Sequence, residues 1–146
     1  MIVGQRPAGQ RVPLIAGNWK MYKTSAEGAA FVTELAGEVE GLDDREIVVA
    51  RPSPGWPKPC ARARATAVKI AAQDIFWEYE GAYTGEVSPS VLADLGVTAV
   101  IIGHSERRQY FGETDENVRK KVDAACLSAT HRGVVRLIKG YLTRNG

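Results

Sequence analysis

The sequence predicts an α/β fold built on a parallel sheet, and two observations carry this prediction. Short apolar runs alternate with longer stretches of helical periodicity along most of the chain. The runs are continuously apolar instead of alternating apolar with polar, which is typical of strands buried on both faces of a parallel sheet. Four such strand–helix units are clear within the 146 residues.

Helix signals separate the strand-forming runs. The runs are Leu14–Ala16, Ile47–Ala50, Val68–Ala72 and Thr98–Ile102. After the first run, Thr24 is followed three residues later by Glu27, which is the spacing of a capping box. Gly41 is expected to end this helix, because glycine readily adopts the left-handed conformation found at helix ends.

The remaining helices are predicted from similar signals. Ser88-Pro89 supplies an N-cap with proline at the first helical position, and Gly96 is expected to end that helix. A short helix is predicted from Ser105, and a further one from about Asp115 to Ala125. The stretch Arg51–Thr66 contains four prolines, and we expect a loop there that leads into one short helix.

Composition argues against several classes of protein. A net charge of +2 gives no reason to expect a nucleic-acid or membrane partner, and no apolar run is long enough for a signal peptide or a membrane span. Cys60 and Cys126 are the two cysteines, and their spacing fits neither a metal site nor a disulfide framework. We therefore expect reduced thiols in a cytoplasmic protein, and no metal.

The first chemical candidate is Lys20, in the segment Gly17-Asn18-Trp19-Lys20-Met21 directly after the first strand. A lysine at the carboxyl end of a barrel strand is well placed to meet an anion. The alternative is a surface lysine that happens to follow a core strand.

The second candidate is His104, which follows the fourth run in the segment Ile101–Arg108. Ser105 can cap the short helix, so His104 is expected near a helix N-terminus, where partial positive charge favours the neutral imidazole. A neutral histidine can donate a hydrogen bond to a carbonyl oxygen that gains negative charge. The alternative is a structural histidine within a solvated cluster of ion pairs.

A third segment runs from Gln73-Asp74 through a long loop that includes Gly81–Pro89. Long loops in compact domains are usually functional, and this one suits a subunit contact. Taken in order, Gly17–Met21, Gly81–Pro89 and Gly103–Arg108, continued by Gln109–Glu116, closely resemble triosephosphate isomerase. The resemblance covers about residues 13–125.

The resemblance implies a fold and a site. The fold is a partial (β/α)8 barrel of roughly the first four β/α units, and the activity is interconversion of dihydroxyacetone phosphate and glyceraldehyde 3-phosphate through an enediolate, without a cofactor. Lys20 corresponds to the active-site cation that binds substrate, and His104 to the neutral electrophile. Asn18 resembles a polar residue that helps set the site, and Glu106 the carboxylate near the lysine. Thr84 resembles the residue that reaches the neighbouring subunit of a homodimer.

The resemblance also implies that parts of the family's active site have no counterpart among the matched residues. The family's catalytic glutamate follows the sixth strand, beside a mobile lid, and its phosphate-binding loops come later still. A complete barrel takes about 250 residues. We therefore expect a truncated form that is inactive alone, with an aggregation-prone apolar sheet face.

The division of the chain follows from these matches. Residues 1–12 are expected to form a loose extension, residues 13–125 the half-barrel, and residues 126–146 a divergent basic tail, in which Val134–Ile138 could still form a strand. Three alternatives to a simple inactive fragment stay open. They are an enzyme completed by a second chain, a non-catalytic partner of an intact subunit, and a nucleic-acid binder that uses the basic tail.

Overall fold

A computed structural model describes the backbone of residues 12–53, 68–132 and 136–139, and the side chains among these as far as residue 127. Most of the proline-rich stretch Arg51–Thr66 lies outside the described residues, so the loop and short helix expected there stay predictions. The same holds for the N-terminal extension of residues 1–12, of which only Val12 is described.

The described strands form one parallel sheet in chain order. They are β1 (Leu14–Asn18), β2 (Glu46–Arg51), β3 (Val68–Ala72), β4 (Ala99–Ile102) and β5 (Arg136–Lys139). The four predicted runs are confirmed as β1 to β4. β5 overlaps the apolar segment Val134–Ile138 and pairs with β4 in parallel, with Val100 opposite Leu137. The sheet therefore has one strand more than the four clear units.

The described helices are α1 (Ser25–Glu38), α2 (Pro89–Asp94), α3 (Ser105–Phe111) and α4 (Asp115–Arg132). The predicted capping box is confirmed, since the Thr24 side chain accepts from the Glu27 amide and the Glu27 carboxylate accepts from the Thr24 amide at 2.7 Å. α1 ends at Glu38, and Gly41 lies in the following turn with φ +81°.

α4 is longer than the sequence predicts. The expected end at about Ala125 is wrong, because the helix continues to Arg132. No glycine or proline interrupts the chain between Asp115 and Arg132, and Gly133 follows directly. The sequence of α4 therefore contains no residue of very low helix propensity that would end the helix at Ala125.

Helices cover one face of the sheet. Val49 of β2 and Val68 of β3 pack with Val39 and α1, while Val100 and Ile102 of β4 pack with residues of α2 and α4. Because side chains alternate between the faces of a strand, the neighbours of these residues belong to the opposite face.

The opposite face is apolar and largely buried in its centre. Its cluster consists of small and β-branched side chains that are 0–4% exposed, and it includes no helix residue: Val48, Ala50, Ala71, Ala99 and Ile101. Exposure on this face is instead found at β1, where Leu14, which lies opposite Glu46, is 37% exposed. The expected exposed apolar face is therefore confined, within the described residues, mainly to the edge strand.

The parallel register brings the carboxyl ends of β1 to β4 to one edge. Asn18 lies opposite Ala50, and Ala72 lies opposite Val100. The amide of Trp19 extends the pairing of β1 by donating to the Ala50 carbonyl at 2.9 Å. Lys20 and His104, which follow β1 and β4, therefore emerge on the same side of the sheet.

Candidate active site

An open cavity of about 510 Å³ lies at the carboxyl edge of the sheet. Its wall combines the predicted site residues with polar and aromatic side chains from the loops after the strands. The lining residues are Asn18, Lys20, Met21, Tyr22, Ser53, Gln73, Asp74, His104, Glu106, Arg107, Tyr110 and Phe111. The structure thus brings four of the five sequence-predicted site residues to one cavity.

Lys20 lines this cavity and has a left-handed backbone conformation. Its φ of +51° is left-handed, a conformation that a residue with a side chain adopts at a cost of about 1–2 kcal/mol. The Lys20 amide donates to Asn18 Oδ1 at 3.0 Å, so Asn18 stabilises the turn that begins where β1 ends. Backbone strain of this kind is often found at functional sites.

The ammonium group of Lys20 forms an ion pair with Glu106. Lys20 Nζ lies 2.5 Å from Glu106 Oε1. Hydrogen bonding and charge attraction to Glu106 raise the pKa of Lys20, and the hydrogen bond from Lys20 lowers the pKa of Glu106. Both groups are therefore charged around neutral pH, and Glu106 is held as the partner of the lysine.

His104 is itself the N-cap of α3. The sequence assigned this role to Ser105, but Ser105 is the first helical residue and His104 Nδ1 accepts from the Glu106 amide at 3.2 Å. A nitrogen that accepts a hydrogen bond carries no proton, so the neutral ring has its proton on Nε2. The cap interaction therefore fixes the tautomer as well as the helix end.

Lys20 and His104 together offer two donors to a ligand in the cavity. The lysine supplies a positive charge, and the histidine supplies a neutral N–H from a side chain that is 21% exposed. Donors that are already oriented can stabilise negative charge that develops on an oxygen atom during a reaction. The arrangement suits a small anionic ligand with a carbonyl group.

Thr84 lies apart from this cavity. It is exposed, within the loop between β3 and α2, and does not line the cavity. The loop is held by its own aromatic contacts, because Phe76 packs against Trp77 at 4.0 Å and against Tyr83 at 4.6 Å between ring centroids. A subunit contact of Thr84 stays a prediction.

A buried ion cluster beside the cavity was missed by sequence reasoning. Lys121 of α4, only 4% exposed, donates to both carboxylate oxygens of Asp74 at 2.7 and 2.9 Å and also to Glu113. Arg107 NH2 lies 2.8 Å from Asp74 Oδ2. Burial raises the pKa of Asp74, while Lys121 and Arg107 oppose that increase. These residues are far apart in sequence, so no local motif marks the cluster.

The described residues contain neither a candidate metal site nor a candidate membrane span. No group of three or more histidine, cysteine, aspartate or glutamate side chains among them could hold a metal ion. No helix among them is both long and apolar enough to cross a membrane.

A parallel sheet in chain order, with polar side chains gathered at its carboxyl edge, defines part of a (β/α)8-barrel protein. The family model of triosephosphate isomerase matches residues 13–132. The chain belongs to the triosephosphate isomerase family. The match continues to residue 132, whereas the motifs alone place the end of the likeness at about residue 125.

Individual relatives agree with this assignment. The chain is 57% identical over 119 residues to the triosephosphate isomerase of Citrifermentans bemidjiense, and that match covers 82% of this chain and 47% of the relative. The Geobacter metallireducens triosephosphate isomerase is 54% identical over 118 residues, covering 79% and 46%. The chain spans about half the length of the curated relatives it matches.

The fold agrees with a solved structure as well. The triosephosphate isomerase of Bartonella henselae superposes with a TM-score of 0.74 at 31% identity, covering 86% of this chain and 50% of that one. The prediction of a partial (β/α)8 barrel is therefore confirmed.

Proposed function

We propose that this chain supplies the lysine–histidine part of a triosephosphate isomerase site, which interconverts dihydroxyacetone phosphate and glyceraldehyde 3-phosphate in the cytoplasm without a cofactor. The observation that carries the proposal is the convergence of Lys20 and His104 on one cavity, with His104 Nδ1 engaged by the Glu106 amide. That geometry leaves Nε2–H as the ring donor for a substrate oxygen.

Each residue has a role in this proposal. Lys20 binds the anionic substrate and stabilises the negative charge of the enediolate. His104 donates from Nε2 to the carbonyl oxygen as that oxygen gains charge. Asn18 and Glu106 orient Lys20 through its amide and its ammonium group. A single oriented donor of this type contributes roughly 3–4 kcal/mol to transition-state stabilisation.

The carboxylates of the cavity are poorly suited to removing the substrate proton. Glu106 is paired with Lys20, and Asp74 is paired with Lys121 and Arg107. The family's base follows a sixth strand, and the described sheet has five. We therefore propose that a polypeptide of these 146 residues is inactive alone, because absence of a general base costs roughly 10²–10⁴ in rate.

Complementation tests this proposal. The 146-residue polypeptide is mixed with the separately purified C-terminal half of a matched relative, which contains the glutamate after the sixth strand. We expect isomerase activity in the mixture and none in either component. The Lys20→Ala, His104→Ala double variant should abolish the activity of the mixture, and activity that survives this double change would contradict the assigned roles.

A non-catalytic partner role is the second candidate. It is favoured by apolar side chains exposed in the described residues at β1 (Leu14 and Ile15) and in the wall of the cavity (Tyr110, 67%, and Phe111, 70%). In this case the chain binds an intact subunit, as in a homodimer, or a complementing half, without turnover. Size-exclusion chromatography of a tagged chain with a purified relative tests it: co-elution without activity above that of the relative alone supports this role, and separate elution contradicts it.

A further inference from the structure

Gln73 occupies the point where three strands end. It follows β3 directly. Its side-chain nitrogen Nε2 donates to one acceptor on β2, to one at the end of β1 and to one in the loop after β1. The distances are 2.8 Å to the Lys20 carbonyl, 3.2 Å to Asn18 Oδ1 and 3.3 Å to the Ala50 carbonyl. An amide nitrogen with two hydrogens can serve three such acceptors by sharing one hydrogen between two of them.

These contacts enclose the strained backbone of Lys20. The Lys20 amide is bound by Asn18 Oδ1 and the Lys20 carbonyl by Gln73 Nε2, and the two side chains contact each other. Both polar backbone groups of a residue with φ +51° are therefore held by side chains. A left-handed conformation of a non-glycine residue persists only where its surroundings enforce it.

We propose that Gln73 is a positioning residue that holds Lys20 in its left-handed conformation and so directs the ammonium group to Glu106 and into the cavity. Its importance for catalysis rests on the proposed function, which makes Lys20 the substrate-binding cation. Its effect on the conformation of Lys20 does not depend on that function.

The neighbour of Gln73 explains why this residue can serve as an anchor. Asp74 is fixed by both carboxylate oxygens to the buried Lys121, and by Oδ2 to Arg107. The chain at residues 73–74 is thus tied to α4 on one side and to β1 and β2 on the other. These contacts of Asp74 fix the segment from which the Gln73 side chain binds Lys20.

The first test is the titration of Lys20 and Glu106 in the 146-residue protein, followed by NMR of the side-chain carbons. Gln73→Met keeps the size of the side chain and removes its donors. We expect the pKa of Lys20 to fall towards its ordinary value of 10.5 and that of Glu106 to rise towards 4.5, since the ion pair loosens. Gln109→Met, at an exposed position of α3, should change neither. Unchanged titrations in Gln73→Met would overturn the proposal.

A double-mutant cycle keeps the test decisive if Gln73→Met unfolds the protein. Glycine adopts a positive φ without strain. In a Lys20→Gly background, Gln73→Met should therefore shift the urea midpoint less than it does in the parent. If Gln73→Met alone does not fold, the double variant should fold. A Gln73 that only joins strands would give equal shifts, or loss of folding in both backgrounds, and either result would overturn the proposal.

An activity measurement separates this proposal from the proposed function. In the complemented mixture, Gln73→Met should lower kcat/KM for glyceraldehyde 3-phosphate, whereas Gln109→Met should not. If the parent mixture shows no activity, the proposed function fails, and the titrations and the cycle still decide the role of Gln73.

Discussion

Lys20 Nζ and Glu106 Oε1 lie 2.5 Å apart although 86 positions separate the two residues in the sequence. The contact joins the loop after β1 to the first turn of α3, which follows β4. It therefore links the two segments that carry the proposed cation and the proposed electrophile.

The ion pair predicts a specific pH dependence. The pKa of Glu106 in the folded chain is lowered below its ordinary value of 4.5, so the stability from the pair is present above 4.5 and is lost as pH falls through the folded value. The pKa of Lys20 is raised above 10.5, so its contribution is present below 10.5 and is lost as pH rises through the folded value.

Glu106→Gln tests this dependence directly. The neutral amide removes the charge attraction, so the pKa of Lys20 should fall towards 10.5, as measured by NMR titration of its side-chain carbon. Glu116→Gln, which breaks an exposed pair with Lys120, is the matched control and should leave Lys20 unchanged. A Lys20 titration that is insensitive to Glu106→Gln would argue against the ion pair.

His104 is predicted to stabilise α3 independently of any catalytic role. His104→Asn keeps a side-chain acceptor that suits an N-cap, so the free energy of unfolding should change little. His104→Ala removes the acceptor for the Glu106 amide and should cost about 0.5–2 kcal/mol. Urea unfolding measures both variants, and equal stabilities would show that the cap contact is unimportant. In the complemented mixture, both changes should reduce the rate, by roughly 10²–10³ if the Nε2 donor acts as proposed.

The buried cluster predicts a large effect from a single lysine. Lys121→Met leaves the carboxylates of Asp74 and Glu113 without their shared cation and should destabilise the fold by about 3–5 kcal/mol. The pKa of Asp74 should rise further, because burial already raises it and Lys121 opposes that rise. Lys120→Met, at the adjacent and more exposed position, is the control and should cost less than about 1 kcal/mol. Similar losses for both lysines in thermal unfolding would contradict the role of the cluster.

Gly28 should tolerate no side chain, whereas Gly37 in the same helix should. A Cβ at Gly28 would lie 2.8 Å from Trp19 Cζ3, and none of the surrounding atoms lies within 4 Å of a Cβ at Gly37. Gly28→Ala should therefore lower the melting temperature because Trp19, next to Lys20, must move, at a cost of about 1–3 kcal/mol. Gly37→Ala should stabilise α1 by up to about 1 kcal/mol. A stabilising Gly28→Ala would show that Trp19 adapts easily.

Local patterns predicted much of the fold, and the resemblance to triosephosphate isomerase supplied the candidate site residues. The strand runs and the Thr24–Glu27 capping box could be predicted because each depends on neighbouring residues. The resemblance to triosephosphate isomerase implied that Lys20 and His104 share a site, and both side chains line one cavity at the carboxyl edge of the sheet, where parallel strands end together.

The remainder depends on local signals that the sequence leaves ambiguous and on contacts between distant residues. The predicted end of α4 at about Ala125 is wrong, because the helix continues to Arg132 and the sequence between Asp115 and Arg132 contains no glycine or proline. The cap at His104 was assigned to Ser105, since histidine is an uncommon N-cap residue. The roles of Gln73 and of Lys121 follow from partners up to 55 positions away in sequence, which no local pattern records.

The most direct test of the account is isomerase activity of the purified 146-residue polypeptide with glyceraldehyde 3-phosphate, measured beside its Lys20→Ala, His104→Ala variant. The account predicts no rate above that of the variant, because the described carboxylates of the cavity are held by cations. A clear rate that disappears in the variant would contradict it, since a residue of these 146 would then supply the base.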